Sequence, residues 1–170
     1  MLVSQQKQQE NIAEYVLYLF QIEDIVRSLN FDIDHIMHKV VQPNLPDSSF
    51  EGQYRKWYTD IIQEMTRSNL TKKGHLDRVM EVMKELVFLH NTLLSVKDES
   101  QYKQLCTNST SYINEFREKA SMKNQHDVEI LIHAMHMKLQ FRLRKKEITQ
   151  ETEEALDAMR IQLAFLMREY

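Results

Sequence analysis

Along most of this chain apolar residues return at steps of three and four, the period of a helix with one buried face. The first run covers residues 4–29, with Ile12, Tyr15, Val16, Leu19, Ile22, Val26 and Leu29 on one side. Ser4 is its expected N-cap and Asn30 its stop. A short helix is expected near residues 32–41, opened by Asp32. Pro43 and Pro46 mark residues 42–49 as loop. Ser48 and Glu51 have capping-box spacing and open a helix with Phe50, Tyr54, Trp57, Ile61 and Met65 inward, fading near Ser68 or Asn69.

The next helix starts between Thr71 and Leu76, and its stripe runs from Leu76 through Val79, Met83, Leu86 and His90 to Leu94. Residues 96–100 break it. A helix over 101–120 turns Tyr102, Leu105, Cys106, Ser109, Ile113 and Phe116 inward. Another begins at Asn124 or Asp127, with Val128, Leu131, Ile132, Met135 and Leu139 on its inner side. Thr149 caps the last, whose seam is Leu156, Met159, Leu163 and Leu166, continued by Tyr170. No stretch alternates with period two, so no sheet is expected. The short connections favour antiparallel neighbours. The expected fold is all-α: an antiparallel helical bundle of about seven helices, one domain over residues 1–170.

Composition supports this pattern. The 170 residues include only two glycines and two prolines, the residues that punctuate sheets and loops. Ten methionines suit the irregular gaps between packed helices. The formal net charge of −3 offers no general attraction for nucleic acid or membrane. A single cysteine, Cys106, excludes an intrachain disulfide and fits a reducing compartment. Met1, Leu2 and Val3 lead into a polar stretch rather than the apolar run of a secretory signal, and no segment has the length of a membrane span. A cytoplasmic location is expected.

Several strings carry a resemblance. They are ENIAEYVLYLFQIEDIVR at 10–27, NFDID at 30–34, Trp57-Tyr58, Gly74-His75-Leu76 leading to Leu89-His90, and KKEITQET at 145–152. Together they resemble a domain-of-unknown-function family from Bacteroidetes-type bacteria, over nearly the whole chain. The resemblance implies an all-helical, cytoplasmic unit of about this length. It brings no catalytic residues to transfer.

Two polar residues stand on otherwise apolar stripes. Glu23 lies between Leu19 and Val26, and His90 between Val87 and Leu94. A carboxylate or imidazole in a core needs a partner, because desolvation without one costs roughly several kcal/mol. The plain reading is a structural network drawing on Arg27, His75 or a tyrosine hydroxyl. The sharper one is a polar pocket with Glu23, Arg27, His75 and His90 as binding residues.

Seven histidines raise the question of a metal. His35 and His38, and His133 and His136, are spaced i, i+3 on one face. Neither pair belongs to a His-Glu-x-x-His or a duplicated Glu-x-x-His pattern, and Glu129, His133, His136 and Gln140 read as a solvated flank. No cofactor is called for. Arg142 falls on an apolar stripe within a basic cluster with Lys138, Arg144, Lys145 and Lys146, which reads as cations complementing a helix C-terminus. Cys106 reads as inert packing.

The expected function is therefore non-catalytic: a helical protein that binds another protein or itself. Leu17 and Phe20, off the main face of the first helix, suggest burial on a second side, within the bundle or across a dimer. The alternative is a small-molecule- or metal-binding enzyme with a pocket around Glu23 and His90. A nucleic-acid-binding regulator is a third reading.

Overall fold

The structure, a computed structural model, describes residues 3–170. Met1 and Leu2, the start of the stretch read for a signal, lie outside the described residues. Within those limits the chain forms eight α-helices and no strand. They are α1 (Val3–Glu10), α2 (Ile12–Ser28), α3 (Ile33–Ile36), α4 (Glu51–Arg67), α5 (Asp77–Ser95), α6 (Ser100–Lys119), α7 (Asp127–Leu143) and α8 (Gln150–Glu169). None of them is long and apolar enough to cross a membrane.

The boundaries differ from expectation in places with local causes. The first run is not one helix, and Ser4 lies inside α1 rather than capping it. The break falls at Asn11, whose side-chain oxygen accepts from the Ala13 N–H at 3.0 Å. An Asn side chain that offers the backbone an alternative partner ends one helix and starts another. The expected Ser48–Glu51 capping box does not form. Asp47 instead accepts from Ser49 N–H at 2.7 Å and caps a 3₁₀ turn that leads into α4. Asp32 caps α3 as expected, accepting from Asp34 and His35 N–H at 2.9 and 3.0 Å. A π turn over Met37–Val41 follows, and the chain leaves it at Pro43, which has no N–H to continue it.

A glycine-poor chain must end its helices on other residues. Asn30, Asn69, Asp98, Ser121 and Lys145 all take φ between 51° and 56°, the left-handed conformation that glycine usually supplies. After Asn69 the Leu70 N–H reaches back to Met65 O at 2.8 Å; after Lys145 the Lys146 N–H reaches Phe141 O at 2.9 Å. These are the six-to-one bonds that satisfy the last carbonyls of α4 and α7.

Two compact units share the chain. The first holds α1 with Glu14–Met80, the second Asn11–Ala13 with Glu81–Tyr170, so the boundary falls inside α5. In the first, Val16, Leu19, Val26, Ile36, Ile61, Met65 and Leu76 form the buried set. Phe20, off the main stripe of α2, is also buried, stacked on the His75 ring at 4.0 Å. Its second-side burial is thus met inside the unit.

In the second unit α6, α7 and α8 pack on one another. Helix α7 buries Val128, Ile130, Leu131, Ile132, Ala134 and Met135, more than one face, as a helix apolar all round must. The seam of α8 is buried from Leu156 to Leu166, but Tyr170 is half exposed and donates its hydroxyl to Glu85. Arg142, expected on a stripe, is exposed.

Candidate functional site

In the first unit the loop between α4 and α5 is fastened to α2 by side chains one turn apart. Glu23 is completely buried. Its Oε1 accepts from Leu76 N–H at 2.8 Å, and its Oε2 lies 2.7 Å from His75 Nδ1. An ionised carboxylate only accepts, so Nδ1 carries the proton. Leu76 immediately precedes α5, whose positive N-terminal end favours an anion there. Four residues on, Arg27 donates through Nε to Leu70 O at 3.0 Å and through its second amino group to Gly74 O. Asp24 lies 3.7 Å from the same guanidinium.

Gly74 makes this loop possible. Its φ of +93° lies where side chains are strained, and a Cβ there would stand 2.8 Å from Leu70 Cδ2. The turn points the carbonyl of Gly74 at Arg27. Chemically, Glu23 fixes the orientation and tautomer of His75, as a carboxylate does for a catalytic or metal-bound imidazole. The His75 side chain is 20% exposed against 0% for Glu23.

A neutral network occupies the second unit. His90, buried on α5, lies 2.7 Å through Nδ1 from the Tyr102 hydroxyl of α6. Tyr102 is fully buried and stacks on Phe165 of α8 at 5.4 Å. Its hydroxyl also lies within reach of Gln162 and Cys106. Gln162 in turn donates to Cys106 Sγ at 3.2 Å and accepts from Ser109 Oγ. Burial lowers the His90 pKa, helped by the nearby His126 and opposed by Asp127; burial raises those of Tyr102 and the Cys106 thiol. A raised thiol pKa is the opposite of nucleophile activation.

Of the four binding candidates, Glu23, Arg27 and His75 meet in one cluster, and His90 has its partners in the second unit. The histidine pairs do not assemble. His35 is exposed, 3.7 Å from Asp32, and His38 is exposed. His133 and His136 are half-buried rather than on a solvated flank, and His136 Nε2 lies 2.9 Å from the Gln140 amide nitrogen. Among the described residues no group of three or more His, Cys, Asp or Glu could hold a metal ion.

Sequence reasoning expected a tyrosine hydroxyl in the network without singling out Tyr102, and it missed the polar roles of Gln162 and His126. Gln162 carried a readable signal, since it sits three residues after Met159 and four before Leu166 on the buried seam. His126 carried another: Glu129 three residues later has capping-box spacing, although histidine is not among the favoured caps.

The model of the family described as Domain of unknown function (DUF4924) matches residues 1–170, and the chain belongs to that family. No curated protein and no solved structure matches it.

Proposed function

We propose that this member of the DUF4924 family is a non-catalytic helical protein that works by association, with a second copy of itself as its first partner. The observation that carries the reading is Phe88. It is 74% exposed midway along α5, among the exposed Lys84, Glu85 and Asn91. Val96, Leu143 and Ile161 of the same unit are exposed as well. Covering one phenylalanine contributes roughly 1.5–3 kcal/mol. The buried polar groups support the same reading, because Glu23, His90, Ser109 and Gln162 all spend hydrogen bonds on neighbouring structure.

Sedimentation velocity over a wide concentration range tests this. The wild type should associate as concentration rises, and Phe88→Glu should weaken that association without lowering thermal stability. A strict monomer at every concentration removes the self-associating form.

A second reading, an enzyme that binds a small molecule or a metal, rests on Glu23 and His75. A buried carboxylate aligning a partly exposed imidazole is how many general bases and metal ligands are held. Elemental analysis of natively purified protein decides the metal version: no bound transition metal ends it. Native mass spectrometry with no small molecule retained would count against the other.

A further inference from the structure

Helix α7 begins on an imidazole. His126 is its N-cap, with Nδ1 accepting from the Val128 N–H at 3.2 Å, while the Glu129 carboxylate returns to the His126 N–H at 3.1 Å. An N-cap needs a lone pair. Ser, Thr, Asn and Asp offer one throughout the neutral range, but histidine does so only while Nδ1 is unprotonated. Protonation replaces the acceptor by a donor facing another donor. It also sets a positive charge at the positive end of the helix.

A second imidazole lies against this cap. The His90 and His126 rings are 5.1 Å apart and nearly perpendicular. His90 is buried on α5 and tied through Nδ1 to Tyr102. The groups around the two rings and around Tyr102, the partner of His90, come from three helices. Helix α6 contributes Tyr102, Cys106 and Arg117, the last paired with Asp127. The start of α7 contributes Asp127 and Glu129, and α8 contributes Gln162 and Phe165, neither of which titrates. Asp127 alone favours a charge on His90, and its carboxylate is engaged by Arg117. Burial and the neighbouring imidazole oppose that charge.

We propose that His126, with the His90 ring against it, forms an acid-sensitive latch on the first turn of α7, closed while Nδ1 of His126 keeps its lone pair and opened when that nitrogen takes a proton. The turn it holds is rich in buried apolar surface, with Val128, Ile130 and Leu131 all fully covered. Opening it would present that surface to solvent. His90 adds a loss of stability in the same direction. A histidine whose pKa is lower in the folded state binds fewer protons there than in the unfolded chain. Stability is then full above the unfolded value of about 6.5 and falls as pH drops below it.

Amide hydrogen exchange followed by NMR at pH 7.5 and 5.5 tests the latch, read as protection factors so that intrinsic exchange chemistry cancels. In the wild type, protection at Val128 and Glu129 should fall on acidification by about five-fold or more relative to Leu163 in α8, the loss expected from one N-cap acceptor. His126→Asn keeps an acceptor that does not titrate in this range, and should retain its protection at pH 5.5. Unchanged wild-type protection overturns the proposal. So does an equal loss in the variant, which would assign the effect to carboxylates. A second readout needs no variant. If the ring signals of His90 and His126 titrate without any shift of the Val128 amide, the two events are uncoupled and the latch does not exist.

Discussion

The two units bury polar groups in opposite ways. In the first, a fully buried carboxylate and a guanidinium one turn along α2 reach across to a loop and take hold of its backbone at Leu70, Gly74 and Leu76. In the second, Tyr102, Gln162, Ser109 and His90 are neutral and meet one another, side chain to side chain, between helices. The difference follows from what must be held. A loop without helical hydrogen bonds presents unpaired N–H and C=O groups, and formal charges bind these most strongly. Helices have already satisfied their own backbones, so weaker neutral bonds suffice to set which faces meet.

The contrast should break first at Glu23. Glu23→Ala leaves His75 and the Leu76 N–H without their acceptor, and a loss of about 3 kcal/mol is expected from removing two hydrogen bonds to one buried carboxylate. Urea unfolding reads this directly; a loss under ~1 kcal/mol would mean the carboxylate is not what holds the loop. Gly74→Ala comes next, at about 2 kcal/mol, because the residue must take φ +93° and meets Leu70. The same unfolding experiment checks it, and an unchanged midpoint would show that the loop can turn another way.

Tyr102→Phe probes the neutral network and should cost about 1–2 kcal/mol, since it strips His90 of its buried partner while keeping the ring packed on Phe165. If it cost more than Glu23→Ala, the ranking of ionic over neutral cluster would be reversed. The smallest effect has the opposite sign. Ser121→Gly relieves a left-handed residue, φ 56°, just past the end of α6, and should stabilise by up to about 1 kcal/mol in a thermal melt.

Much of the frame was legible before any coordinates. The stripe that starts at Leu76, just before α5, and runs along it to Leu93, the α8 seam and the caps Asp32 and Thr149 stand where the pattern puts them. Glu23 and His90 were visible because a charged or basic residue interrupts an apolar stripe. A tyrosine hydroxyl was foreseen as a partner, but nothing marked Tyr102 out from the other tyrosines, because an aromatic on an inward face reads as packing. The Asn11 break was missed for a different reason: the apolar period continues across it, while the interruption comes from one side-chain hydrogen bond.

Helical class, the inward faces and the two anomalous core residues belong to the sequence alone, since each depends on neighbours three or four positions away along one helix. Which residues answer Glu23 and His90 was decided only in three dimensions. His75 lies 52 positions from Glu23, Gln162 lies 53 from Ser109, and His126 meets His90 only as their rings are brought to 5.1 Å. Periodicity is a local property and carries no information about such distant pairings. A buried polar group can announce that it needs a partner, but the packing of whole helices selects which one it receives.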